Sequence, residues 1–260
     1  AAPAIRQSAQ SAIRLGAPPK FWKVRMKPVS IFRHSPTEGP GFFAEYLDAR
    51  NIPWRIVAID QGEPVPTDPT ASSGLVFMGG PMSVNDDLPW IPPVLSLIRD
   101  AAAKGVPVLG HCLGGQLMSR ALGGAVTRNP TKEIGWGEIR VEDSTEGRDW
   151  FGPDIRSFLS FHWHGETFSL PPGAARIMAS DHCSNQGFVI GPNLGMQCHV
   201  EMTERLIDTW CLSGQSEIDT SPGPAVQQPE VMRQGIGQKV QDLHAVATRL
   251  YDRWTQGLRR

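Results

Sequence analysis

An α/β fold, with a mostly parallel sheet flanked by helices on both faces, is what this sequence predicts. Three observations carry that expectation. From Pro28 onward, short apolar runs alternate with segments of helical periodicity, the order that builds parallel strands joined by crossover helices. Two of the runs end in glycine-rich corners, Phe77-Met78-Gly79-Gly80-Pro81 and Gly110-His111-Cys112-Leu113-Gly114-Gly115-Gln116. Such corners fall at the carboxyl ends of strands, where sheets of this kind hold ligands. At 260 residues the chain can also close a full core, since domains above about 150 residues bury most of the surface that their unfolded chains expose.

The elements follow in order. Residues 1–27 read as an N-terminal extension, because Arg6, Arg14, Lys20, Lys23 and Arg25 occur there with no acidic residue, among alanines, serines and prolines. This composition suits a targeting peptide or a disordered extension; a third reading, slightly favoured, takes Met26-Lys27-Pro28 as the true start. Val29-Ser30-Ile31-Phe32 is a predicted strand, 41–50 a helix, 54–59 a strand, and 75–78 a strand feeding the Gly79-Gly80-Pro81 loop. In the next helix Pro92 and Pro93 occupy the first turn, where proline is tolerated, and Val94, Leu95, Leu97, Ile98 and Ala101 supply the buried stripe. Val106-Pro107-Val108-Leu109 is a buried strand, and 116–122 a short helix closed by Gly123-Gly124. Shorter runs at 138–141, 157–161, 175–179 and 187–190 are added strands, and 194–198 is the last. One domain therefore spans 28–212. Residues 213–238, rich in Gly, Pro, Ser and Gln, read as a linker or long loop. Over 239–257, Val240, Leu243, Ala247, Leu250 and Trp254 recur at three- and four-residue steps as an amphipathic helix, which either packs back on the domain or meets another subunit.

The chemistry centres on Cys112. A cysteine between a buried strand and a helix start, with Gly110 and Gly114 beside it, describes a nucleophile on a tight turn. The glycines let the backbone turn and leave room for a substrate near the sulfur. The unpaired N–H groups and positive dipole end of the helix favour a thiolate over a thiol. A nucleophile of this kind calls for a base, and the base for an orienting acid. His199, at the end of the 194–198 strand, and Glu201, two residues on, supply both.

Composition excludes other classes. A formal charge of −1, with charged residues at 20% and no long single-sign run, gives no electrostatic footprint for nucleic acid. Four cysteines, none in a C-x-x-C pair, point to a reducing, cytoplasmic compartment. No apolar stretch approaches the roughly 18 residues of a membrane span. His162, His164, His182, Cys183, Cys198 and His199 offer soft donors, but none shows the spacing of a structural zinc site, so neither a metal nor another cofactor is expected. His162 reads as structural within the alternating run 161–164, and His182 and Cys183 as residues of a polar turn over 180–185.

Taken together, the motifs resemble the class I glutamine amidotransferases, cysteine-triad hydrolases of flavodoxin-like fold that release ammonia from the glutamine side chain. The likeness spans roughly 28–205. A G-x-C-x-G-x-Q elbow matches at Gly110, Cys112, Gly114 and Gln116, and a late His-x-Glu at His199 and Glu201. Phe77-Met78-Gly79-Gly80-Pro81 stands where that family has its oxyanion loop, and Trp163-His164-Gly165-Glu166 where it has a substrate-side His-Gly segment. The family often has proline between its histidine and glutamate; this chain has Val200. A related peptidase and chaperone group sets histidine directly after the elbow cysteine, where this chain has Leu113.

The resemblance implies that Cys112 attacks a γ-carbonyl, His199 shuttles the proton and Glu201 orients His199. It implies an oxyanion hole from the N–H groups of Gly80 and Leu113, and contacts to the substrate head group from Gln116 and the backbone of Gly165 and Glu166. Glu133-Ile134-Gly135-Trp136 either walls the glutamine pocket or is an ordinary loop. The partner is then a small-molecule substrate, glutamine or a γ-glutamyl compound. No second catalytic domain is expected outside the likeness, which leaves three functions. One is a free-standing hydrolase. Another is a glutaminase subunit passing ammonia to a separate synthetase. The last is a non-enzymatic binding or regulatory module, against which the intact Cys112, His199 and Glu201 argue.

Overall fold

Side-chain alternation in the first strands sets the architecture. The computed structural model describes residues 26–259, so the basic residues of the predicted extension up to Arg25 lie outside the described residues. In β1 (Val29–Arg33), Val29 and Ile31 enter one apolar cluster and Phe32 another, as a period of two requires of a strand covered on both faces. β3 (Gly74–Phe77) and β4 (Val108–His111) repeat the pattern: Val76 and Leu109 turn one way, Leu75, Phe77 and Val108 the other. α1 (Phe42–Ala49) and the long α8 (Ile236–Thr255) cover the first face, and α2 (Ile91–Lys104) and α3 (Leu113–Ala121) the second.

With β2 (Trp54–Ala58), β5 (Val126–Val141), β6 (Ser157–Phe168), β7 (Ala175–Ala179), β8 (Gly187–Ile190) and β9 (Asn193–Met196), these strands form one nine-stranded sheet in the order β2-β1-β3-β4-β9-β8-β7-β5-β6. The half from β2 to β9 pairs parallel, and the half from β9 to β6 antiparallel. The sheet is thus mixed, and the strands added after residue 125 make up as many pairings as the parallel part. Only the end of β5 reads from sequence as a strand. Its register shifts between Arg128 and Glu133, across Asn129-Pro130, and proline at such an irregularity breaks the alternation that would reveal the whole strand.

The segment 213–238 is a correction. It is neither a linker nor an open loop: α5 (Glu204–Ser213) runs into α6 (Gln215–Thr220), and α7 (Pro229–Arg233) precedes α8. Ile218 and Met232 are fully buried in the first core, and Val226 bridges to Ile134 of β5. The Gln227 side chain accepts from the Trp136 N–H at 2.9 Å and donates to the Trp136 carbonyl at 2.8 Å. Its apolar anchors, Ile218, Val226 and Met232, are eight and six residues apart, too sparse to display a helical or strand repeat, so composition alone misleads there. α8 begins at Ile236, after Gly235 in the left-handed region, and its stripe from Val240 to Trp254 packs into the same core.

α3 approaches the sheet at bare backbone. A β-carbon on Gly114 would collide with the Phe77 carbonyl, and one on Gly115 with the Met196 carbonyl. One on Gly110 would lie 2.5 Å from Gly114 backbone atoms. Gly110 and Gly114 therefore serve helix–strand approach, not the substrate room that the sequence suggests. Gly114→Ala is expected to destabilise the chain by about 3 kcal/mol, because backbone and not a flexible side chain must yield. Gly39→Ala, where a β-carbon meets nothing within 4 Å, should stay within about 0.5 kcal/mol; urea denaturation of the two variants measures both.

Candidate active site

That approach leaves Cys112 little choice of conformation. It is the N-cap of α3 with φ 50° and ψ −107°, one of two non-glycine residues with positive φ among those described. Strain of this kind costs on the order of 1–3 kcal/mol and persists only where packing over-determines it. The Cys112 N–H donates to the Met196 carbonyl at 2.8 Å, tying the corner to the end of β9. The thiol keeps 7% of its residue surface exposed and opens into a cleft of about 460 Å³, within the range of small-molecule sites.

His199 lies beyond β9 and not in it, since the strand ends at Met196. Its N–H donates to the Phe161 carbonyl at 2.9 Å, pairing it with β6, and Trp210 packs edge-on against the ring at 4.8 Å. Nδ1 lies 2.6 Å from Oε1 of Glu201, so the carboxylate accepts and fixes the tautomer. Nε2 is buried and makes no hydrogen bond of normal geometry among the described residues. Burial works to lower the His199 pKa, but the charges of Glu201 and then Cys112, with side-chain contacts to both, raise it well above 6.5. Cys112 and His199 thus line one cleft and interact. Glu201 is also buried, which would raise its pKa; the charges of His111 and His199 and the bond from His199 reverse this and hold it below 4.5. Burial holds His111 below its usual value despite Glu201 at 3.6 Å.

The remaining expected residues gather around the same space. Gly80 and Cys112 share the cleft lining, and Gly80 packs on Leu113, whose side chain would lie 2.8 Å from a β-carbon there. Neither the Gly80 nor the Leu113 N–H donates to a protein acceptor among the described residues, the condition for receiving a ligand anion. Gln116 lines the cleft and donates to the Gln197 side chain at 3.1 Å. Gly165 and Glu166 form the opposite wall, with the Glu166 carboxylate accepting from Ser83 at 3.0 Å.

Glu133 is neither pocket wall nor loop. It is buried in β5 behind that wall, 2.9 Å from Nε2 of His164, and accepts from Ser180 at 2.9 Å and Gln186 at 2.8 Å. The other ring nitrogen of His164 bonds the Glu166 carbonyl at 2.9 Å, so this cluster braces the 163–166 segment. Glu133, His162 and His164 bring ligand-type atoms within 4.8 Å of one another, a convergence that no spacing announces; the carboxylate oxygens are already occupied by side-chain donors.

Sequence reasoning missed four residues. Gln197 donates to the Cys112 sulfur at 3.5 Å. Trp210 backs the imidazole, and Glu217, held by Lys132 at 2.6 Å and Trp163 at 2.9 Å, closes one side. Glu38 enters from the loop before α1. None belongs to a motif, and Glu217 lies in the segment read as a linker.

A strained cysteine at the carboxyl end of a parallel strand, facing a buried imidazole–carboxylate pair, defines an α/β protein with a cysteine-hydrolase arrangement. The comparisons place it more closely. The model of the class-I glutamine amidotransferase family matches residues 43–215, and the chain belongs to that family. It is similar to a crystal structure of a glutamine amidotransferase from Methylobacillus flagellatus, with a TM-score of 0.88 and 41% identity over 90% of this chain and 96% of that one. It is also 27% identical to a glutamine amidotransferase-like protein of Salmonella typhimurium, over 73% of this chain and 82% of that protein. With a glutamine-hydrolysing GMP synthase of Paraburkholderia phytofirmans it shares 33% identity over 51% of this chain; the match spans 26% of that synthase's length.

The raised His199 and lowered Glu201 values have opposite pH signatures. The contribution of His199 to stability is complete below pH 6.5 and is lost as pH climbs through its raised folded value. That of Glu201 is complete above pH 4.5 and is lost as pH falls through its depressed value. In Glu201→Gln burial is no longer opposed by the adjacent charge, so the His199 pKa is expected to drop below that of the wild type; NMR titration of the imidazole Cε1–H reads the change.

Proposed function

We infer that this chain is a free-standing cysteine hydrolase acting on the γ-amide of glutamine or a related γ-glutamyl compound through a thioester. The observation that carries the reading is the strained Cys112 sharing its cleft with a His199–Glu201 pair at 2.6 Å. Cys112 Sγ forms a bond to the γ-carbonyl carbon, and the N–H groups of Gly80 and Leu113 receive the developing oxyanion. A donor so placed is typically worth about 10² to 10³ in rate. As the C–N bond breaks, His199 delivers its proton to the departing nitrogen. Water then attacks the thioester, giving a proton back to His199, and glutamate leaves as the sulfur is restored. Glu201 holds the ring and balances the imidazolium. Gln116, Gly165 and Glu166 contact the amino-acid end of the substrate.

A second reading has the same chemistry serve a separate synthetase, with ammonia passed on and not released. Its support is the similarity to one part of a GMP synthase. The two differ in activity alone: a free-standing hydrolase turns over without a partner.

Purified protein is expected to release glutamate from glutamine or a γ-glutamyl amide unaided. Cys112→Ala should abolish this while leaving the circular dichroism spectrum unchanged, and Glu201→Gln should lower kcat by about 10² to 10⁴ with a much smaller change in KM. Undiminished turnover by Cys112→Ala would remove the mechanism.

A further inference from the structure

Among the described residues, three glutamates line the cleft, Glu38, Glu166 and Glu217, and no lysine or arginine does. Two of the three have partners: Ser83 for Glu166, Lys132 and Trp163 for Glu217. The Glu38 carboxylate has no hydrogen-bond partner among the described residues, although its loop is held firmly. The Glu38 N–H donates to the Ser35 carbonyl at 3.1 Å, Trp210 Nε1 donates to the Thr37 carbonyl at 2.8 Å, and the Phe42 N–H donates to the Glu201 carbonyl at 2.9 Å. This fixed loop aims the carboxylate at the reacting groups. A β-carbon on Gly79 would collide with Glu38 Oε2 and lie 3.2 Å from Cε1 of His199, so carboxylate and imidazole edge meet across one glycine. Cε1 adjoins Nε2, the atom that hands a proton to the leaving nitrogen.

Resting on the hydrolase reading above, we propose that Glu38 is the residue that selects the leaving group. Its carboxylate accepts an N–H from the departing nitrogen and favours γ-glutamyl derivatives of ammonia or of a basic amine over γ-glutamyl amino acids. A γ-glutamyl amino acid carries a carboxylate one carbon from the scissile nitrogen, which this geometry brings against the Glu38 carboxylate. Two like charges within a few ångströms in a partly desolvated cleft discriminate by about tenfold or more. A diamine, conversely, brings a positive charge into a cleft lined by carboxylates. Burial pushes the Glu38 carboxyl up to about 7, with His199 lowering and Glu201 raising it, so the acceptor form that this role requires is the ionised one, populated above that value.

The test compares kcat/KM for γ-glutamyl-1,4-diaminobutane and γ-glutamylglycine, about one pH unit above 7 so that Glu38 is ionised, in wild type, Glu38→Gln and Glu38→Asp. The wild type should favour the diamine derivative about tenfold or more, Glu38→Gln should bring the ratio near one, and Glu38→Asp should restore part of it. A general structural role would lower both values and leave the ratio unmoved. An unchanged ratio in soluble Glu38→Gln overturns the assignment and leaves the hydrolase reading intact. If that variant does not fold, a wild type indifferent between the substrates, or preferring γ-glutamylglycine, overturns it equally. Should the wild type release glutamate from neither of these nor from glutamine, the hydrolase reading falls and this inference with it.

Discussion

Everything at the cleft depends on how closely one helix is allowed to approach the sheet. Gly114 and Gly115 lay the start of α3 on the carbonyls of Phe77 and Met196, so three strands and a helix meet with no side chain between them. Cys112, joining β4 to that helix, is left to absorb the turn in a conformation L-residues seldom adopt. The same contact brings the Gly80 loop at the end of β3 beside Leu113. The strained cysteine and the free amide donors are thus consequences of one packing decision.

The charges are organised as a layer beneath this corner. The Glu201 carboxylate is buried between His199 and His111, and α8 reaches the same place through the Tyr251 hydroxyl, 3.2 Å from His111. A buried anion is tolerable only when a cation or strong donors answer it, and here the nearest answer is the His199 imidazole that also lines the cleft. Behind the opposite wall Glu133, His164, Ser180 and Gln186 form a second such layer, which holds the 163–166 backbone against the cleft.

What could be read from sequence divides along physical lines. Val29, Ile31, Phe32, Val76 and Leu109 announce their strands because each obeys a short period, and the cysteine and histidine corners announce themselves because tight turns demand particular residues nearby. Glu38, Gln197 and Glu217 obey no period and sit in no turn motif; the topology alone brings them to the cleft. Ile218 and Met232 were invisible for a related reason, being single anchors in a segment whose composition resembles that of an untethered chain. The residues that the motifs named, Gly80, Cys112, Gln116, Gly165, Glu166 and His199, line one cleft, but the motifs misassigned what Gly110 and Gly114 do, since a glycine's neighbours are known only after folding.

The strand order has a consequence for how the molecule is made. β9 occupies the middle of the sheet, between β4 and β8, yet is the last strand in the chain. As the polypeptide emerges from the ribosome, β4 keeps an open edge until some 80 further residues have followed it, and the cysteine just beyond β4 waits through that interval without its imidazole. Nascent chains therefore carry Cys112 well before His199, which follows within three residues the strand that closes the gap. Pairing of the two sides of the cleft and completion of the sheet thus fall at the same stage of synthesis.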